Sequence, residues 1–101
     1  MFITGGKWKG AANGALGDLE INFDATGAFT GKAYGHPMRG RWQPTTGAIS
    51  FATTDGSAQI YKGYLVFPHN DTPQHALYTL AGIFDDLSGT YGWFAQQSVV
   101  P

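Results

Sequence analysis

Short runs in which apolar and polar residues alternate, each ended by glycine or proline, decide what this chain can fold into. The clearest case is the stretch Gly40 to Phe51. Met38, Gly40 and Trp42 share one parity, and the cations Arg39 and Arg41 take the other. This is the two-residue period of a strand with one covered face and one wet face. Pro44 and Gly47 then break the chain before Ile49 and Phe51 resume the alternation. Proline gives up a ladder donor, and glycine accepts the positive φ of a corner.

The same scheme repeats along the chain. Strands are predicted at Phe2 to Lys9, around Leu19, Ile21 and Phe23, at Ala28 to Tyr34, on either side of Pro44–Gly47, at Gln59 to Phe67, at His75 to Phe84 and at Thr90 to Val99. Loops are expected at Ala11 to Gly17, Asp24 to Gly27, Gly35-His36-Pro37, Asp55-Gly56, Pro68 to Gln74 and Asp85 to Gly89. No window carries apolar residues at helical spacing with caps. Eight short strands with short connections predict an all-β, eight-stranded antiparallel up-and-down barrel in one domain, residues 1–101. Closure removes the exposed edges that a flat sheet must protect.

Composition narrows the function classes. The chain has 101 residues, 43% hydrophobic and 15% aromatic, enough for a core. Its net charge of -1 gives no electrostatic case for nucleic acid or an anionic membrane. No apolar run approaches the roughly 20 residues of a spanning helix. Cysteine is absent, which removes disulfides and thiolate metal sites. The start Met1-Phe2-Ile3-Thr4 does not read as a signal peptide, and the compartment stays open. Fifteen glycines spread beside aromatics suit a tightly curved barrel. Charged residues make up only 13%, and strands six to eight are apolar on both faces, with Ile60, Tyr64 and Val66 opposite Tyr61, Leu65 and Phe67. A homo-oligomer through the outer face of those strands is expected.

Four landmarks in chain order carry a family resemblance. They are Gly6-Lys7-Trp8, Phe29-Thr30-Gly31 with Tyr34, Gln43-Pro44-Thr45 with Gly47, and Ser57 to Gly63. Together the set resembles the avidin/streptavidin family of eight-stranded biotin-binding barrels, over the first two thirds of the chain. The resemblance implies a ligand site made of Asn13, Tyr34, Ser57, Gln59, Tyr61 and Trp42. It also implies departures. Tyr34 is offset by one residue, which on a strand turns it to the wrong face. Gln59 replaces a hydroxyl residue. Ala52 stands where a strand-five tryptophan belongs, with Phe51 one position away; Leu80 replaces a strand-seven tryptophan. Alternation points Ile49 and Phe51 inward, against the family register, unless a bulge near Gly47 reconciles them. Biotin binding is therefore expected to be weak or absent. For Trp8, Phe23, Phe29 and Trp42, core packing is the first expectation.

No catalytic constellation stands out. His36 and His69 fall in loops, and no two histidines are spaced as metal ligands. Asp85 and Asp86 are neighbours that point apart, so they read as turn formers rather than a carboxylate pair. Asn70-Asp71-Thr72 fits a glycosylation pattern but precedes Pro73. The expectation is a non-catalytic, cofactor-free barrel binding a small molecule or short peptide in its mouth. The alternatives are a protein-binding module, such as a small barrel protease inhibitor sharing the Trp42-Gln43-Pro44-Thr45 corner, and a shape-selective barrel cyclase.

Overall fold

The computed structural model describes residues 3–72 and 75–99, with side chains described for all of these except 67–72, 75, 76 and 99. The strands are β1 (Gly6–Ala12), β2 (Ala15–Phe23), β3 (Ala28–Ala33), β4 (His36–Gln43), β5 (Ala48–Thr53), β6 (Ile60–Thr72), β7 (His75–Asp85) and β8 (Thr90–Val99). Each pairs antiparallel with the next, and β8 closes onto β1. No helix occurs among the described residues. The chain is an all-β, closed, eight-stranded up-and-down barrel, as the alternation predicts.

The differences from the sequence reading lie in the connections. Where a loop is expected from Ala11 to Gly17, β1 and β2 instead run almost to contact. Ala12 pairs with Ala15, leaving only Asn13 and Gly14, both at positive φ, as a two-residue hairpin turn. Alanine carries too little hydrophobic contrast to mark a strand, yet its backbone pairs as well as any. The corner after β3 is also one step earlier than predicted. Ala33 pairs with His36, so Tyr34 and Gly35 form the turn, again with both φ positive. His36 therefore starts β4 instead of lying in a loop. The polar stretch from Pro68 is not a loop: β6 continues to Thr72, with irregular register between Val66 and His69 and between His69 and Thr72. A proline is tolerated in a long strand at such a break in the ladder. Pro73 and Gln74 lie outside the described residues, as do the side chains of the Asn70-Asp71-Thr72 pattern.

Parity decides what fills the barrel. Trp8, Leu19, Ile21, Tyr61 and Leu80 are fully buried. Each such side chain contributes about 1.5–3 kcal/mol relative to exposure. Ile49 and Phe51 point inward, and β4 and β5 pair without a break from Gln43–Ala48 to Met38–Thr53. The bulge that would have restored the family register does not occur.

One inner row crosses the barrel from β2 to β8. Phe23, Phe29, Gly40, Phe51, Tyr61, Phe84 and Tyr91 are successive register partners from β2 to β8. Barrel strands tilt, so a row that follows the register climbs from one end of the barrel to the other. It begins at the end holding Ile3 and the β2–β3 and β4–β5 turns, here named the first mouth. It finishes at the end holding the β1–β2, β3–β4, β5–β6 and β7–β8 connections, the second mouth. Gly40 is the gap in the row: a Cβ there would lie 2.5 Å from the Phe51 Cβ. The bare backbone lets Phe29 and Phe51 approach to 6.1 Å between ring centroids.

Candidate functional site

Antiparallel order carries Asn13, Tyr34, Ser57, Gln59 and Tyr61 to the second mouth, because their turns all lie on that side. Trp42, at the far end of β4, goes to the first. Of the five, the structure brings three into one contact set. Tyr61 donates its hydroxyl hydrogen bond to Gln59 Oε1 at 2.8 Å, and Tyr34 stacks on Tyr61 with centroids 6.1 Å apart. Tyr34 reaches this place because it sits in the turn at φ 50, where strand parity no longer dictates which side it faces. The wrong-face expectation fails for that reason. Its hydroxyl donates across to the Phe94 carbonyl at 2.8 Å. Ser57 stands beside them, donating to Thr53 Oγ1 at 2.7 Å, and the Gln59 N–H donates to the same oxygen at 3.0 Å. Asn13 is exposed in its turn, and its N–H bonds the Gly92 carbonyl at 2.9 Å.

This mouth is closed by its own side chains. Tyr61 lies between Phe51 at 4.6 Å and Phe84 at 4.7 Å, both stacked on it. Neither face of the phenol is free for a ligand. Trp93 meets Phe51 and Tyr61 edge-on and donates Nε1–H to the Lys62 and Ile83 carbonyls. Its indole fits because Gly63 stands opposite: a Cβ there would lie 2.7 Å from the ring and 2.5 Å from the Ala81 carbonyl oxygen. Burial, with a smaller push from the Asp86 charge, raises the Tyr61 hydroxyl to about 12. Burial raises Tyr34 as well. Both phenols therefore stay neutral across the physiological range.

The rim around this plug is ionic and local. Hydrogen bonds from Ser57 and then His36 hold the Asp55 carboxyl down at about 2, and His36 Nδ1 lies 2.8 Å from Asp55 Oδ2. Asp85 and Asp86 point apart: Asp85 accepts from Thr90, and Asp86 accepts from Ser88 and the Gly89 N–H. Among the described residues no three His, Asp or Glu side chains converge as metal ligands.

The first mouth is built differently. The Asp24–Gly27 turn is tied to β4 by the Trp42 N–H, which donates to the Gly27 carbonyl at 3.0 Å. Between this turn, Ile3 and the Trp42–Pro44 corner lies a pocket of about 390 Å³, walled by Ile3, Phe23, Trp42 and Pro44. That volume lies in the range of small-molecule sites, which are concave, mostly apolar and fitted with few polar groups. The charged residue among the described residues of its lining is Asp24. Asp24 Oδ1 accepts both the Thr26 N–H and the Thr26 hydroxyl at 2.7 Å, and no side chain among the described residues bonds Oδ2. At the same end Gln97 Oε1 is buried without a partner, although Nε2 of that amide bonds the Gly5 and Lys7 carbonyls. The sequence reading treats Asp24–Gly27 only as a turn. The available signal was Trp42 beside Pro44, two residues of one corner that a neighbouring turn must cover.

The outer surface divides as well. Arg39, Arg41 and Lys32 project from β3 and β4, while Lys62 stands on the outer face of β6 between Ile60 and Tyr64, paired with Ile83. A second register row, Ala48, Tyr64, Ala81, Phe94, Ala11 and Leu16, crosses β5 to β8 and returns over β1 to β2. Tyr64 is 62% exposed and Leu16 89%, with Ile60, Val66 and Ile83 about half exposed alongside. No family model, curated protein or solved structure matches the chain, so the fold and these two mouths are what any functional reading must start from.

Proposed function

We propose that this is a non-catalytic barrel that binds a small molecule or short peptide at a mouth, with biotin binding weak or absent, and that it self-associates through the outer face of β6–β8. The pocket at the first mouth carries the ligand part of this reading. It pairs apolar walls with one carboxylate, whereas the second mouth has its rings stacked and its hydroxyls already bonded. A ureido group arriving at Tyr34, Ser57 and Tyr61 would have to displace internal hydrogen bonds of equal quality, so it gains little. That weighs against tight biotin binding even though the resemblance to avidins supplied those residues.

The outer apolar row supports self-association. Six large side chains at this exposure leave on the order of 500 Å² bare, near the upper end for a monomer and below the ~800 Å² per partner of a standard interface. Polar neighbours such as Gln96 and Thr79 would complete the contact. In a two-fold pairing the same residues meet on both sides, with the Lys62 cation among the apolar ones.

Isothermal titration with biotin and biotin-mimicking peptides is expected to give no heat at micromolar protein. Ligand-detected NMR with small aromatic compounds is expected to give hits that Ala25→Trp abolishes by filling the first mouth. Light scattering at micromolar concentration should report a dimer or larger, and Tyr64→Glu should return it to monomer. Tight biotin binding would overturn the site assignment, and a monomeric wild type would overturn the association.

A further inference from the structure

We infer that the first-mouth pocket takes a hydrophobic cation: a primary or quaternary ammonium carried on a compact apolar or aromatic body. This rests on the reading of that pocket as the ligand site and goes on to name the ligand's chemistry.

Three features point the same way. The walls are Trp42, Phe23, Ile3 and Pro44, which favour an apolar body. Two of them are aromatic, and an indole is the side chain whose face attracts a cation best. Among the described residues, the lining carries one charge, that of Asp24, and no lysine, arginine or histidine.

Asp24 is prepared for this role. Its Oδ1 is occupied by Thr26, which fixes the carboxylate at the lip, while no side chain among the described residues bonds Oδ2. Bonds from the Thr26 hydroxyl and N–H, with help from Ala28 and the Arg41 charge, keep the carboxyl below its ordinary value. It is thus ionised at neutral pH, where an amine is protonated. The competing cation is Arg41, which lines the neighbouring groove on the outer face with Asn22, Thr30 and Arg39. Arg41 is near enough to lower the Asp24 carboxyl but forms no ion pair with it. A carboxylate flanked by a guanidinium that does not close on it remains available to an incoming ammonium.

The test compares three probes of one shape: 2-phenylethylammonium, 2-phenylethanol and phenylacetate, titrated into the full chain at neutral pH by calorimetry. The expected order is ammonium, alcohol, carboxylate, with roughly tenfold between the first two from ion pairing and the indole together. Asp24→Asn keeps an oxygen acceptor for Thr26 and so keeps the turn. It should bring the ammonium down to the level of the alcohol and leave the alcohol unchanged. Arg41→Gln should tighten the ammonium a few-fold. Equal binding of ammonium and alcohol, or an unaltered ammonium affinity in Asp24→Asn, overturns the ligand class and leaves the pocket standing. Failure of all three probes to bind overturns the pocket as a ligand site, and the class with it.

Discussion

At the second mouth Tyr61 is held between Phe51 and Phe84, Gln59 accepts from Tyr61, Ser57 donates to Thr53, and Tyr34 donates to the Phe94 carbonyl. At the first mouth Trp42 and Phe23 wall a pocket, and among the described residues no side chain bonds Asp24 Oδ2 and nothing bonds the buried Gln97 Oε1. Both ends are rich in aromatics, so composition does not separate them. Register does. The inner aromatic row enters singly at the first mouth, as Phe23, and delivers Phe51, Tyr61, Phe84 and Tyr91 together at the second. Four neighbouring strands then contribute rings that touch in series, and the shaft is filled there.

The strongest way to break this contrast is to remove a ring from the closed end. Trp93→Ala should cost about 3–5 kcal/mol in urea unfolding, as for other buried aromatic truncations. The vacated space should also acquire affinity for indole, since an apolar cavity of that size stays dry and takes apolar guests. A loss under 1 kcal/mol would mean the second mouth is not a packed core. Gly63→Ala approaches the same contact from the other side. The added methyl meets both the Trp93 ring and the Ala81 carbonyl, and overpacking of this kind costs about 1–3 kcal/mol.

Tyrosine titration sharpens the contrast at a smaller scale. Tyr61 is raised to about 12 and Tyr34 is raised too, chiefly by burial. A group raised above its unfolded value stabilises the fold below that value and loses the contribution as pH climbs to the folded one. Stability should therefore fall between about pH 10 and about 12, and absorbance should find at least two tyrosines ionising late. Ordinary ionisation of all five would place these rings in water. The smallest effect belongs to the rim. Asp55 is depressed to about 2, so its contribution is complete above the unfolded carboxylate value of about 3.9 and is lost as pH falls toward 2. Carboxyl NMR should follow this, and Asp55→Asn should erase the acid transition of the 54–59 loop while leaving the tyrosines unchanged.

Much of the fold was legible because a barrel asks only for parity and corners. Met38, Trp42, Ile49 and Phe51 all face the side their alternation predicts. What parity does not encode was harder to read. Alanines at the β1–β2 hairpin hide a strand, and Pro68 imitates a loop while β6 continues past it. Tyr34 escapes parity altogether by sitting at positive φ in a two-residue turn. The candidate site was legible as residue types and not as places. Five residues named from the avidin resemblance do gather at one mouth, yet stacking, which depends on strand stagger, closes it. Trp42 alone was sent to the other end, and the Asp24 turn that completes its pocket has no signature beyond Asp-Ala-Thr-Gly.

The most direct test is a map of where a ligand lands. Backbone amide NMR of the full chain, titrated with 2-phenylethylammonium, should move the signals of Asp24 to Gly27 together with Trp42 and Gln43. Shifts centred instead on Tyr34 and Ser57 to Tyr61 would contradict the account, because the mouth described as filled would then be the one that opens.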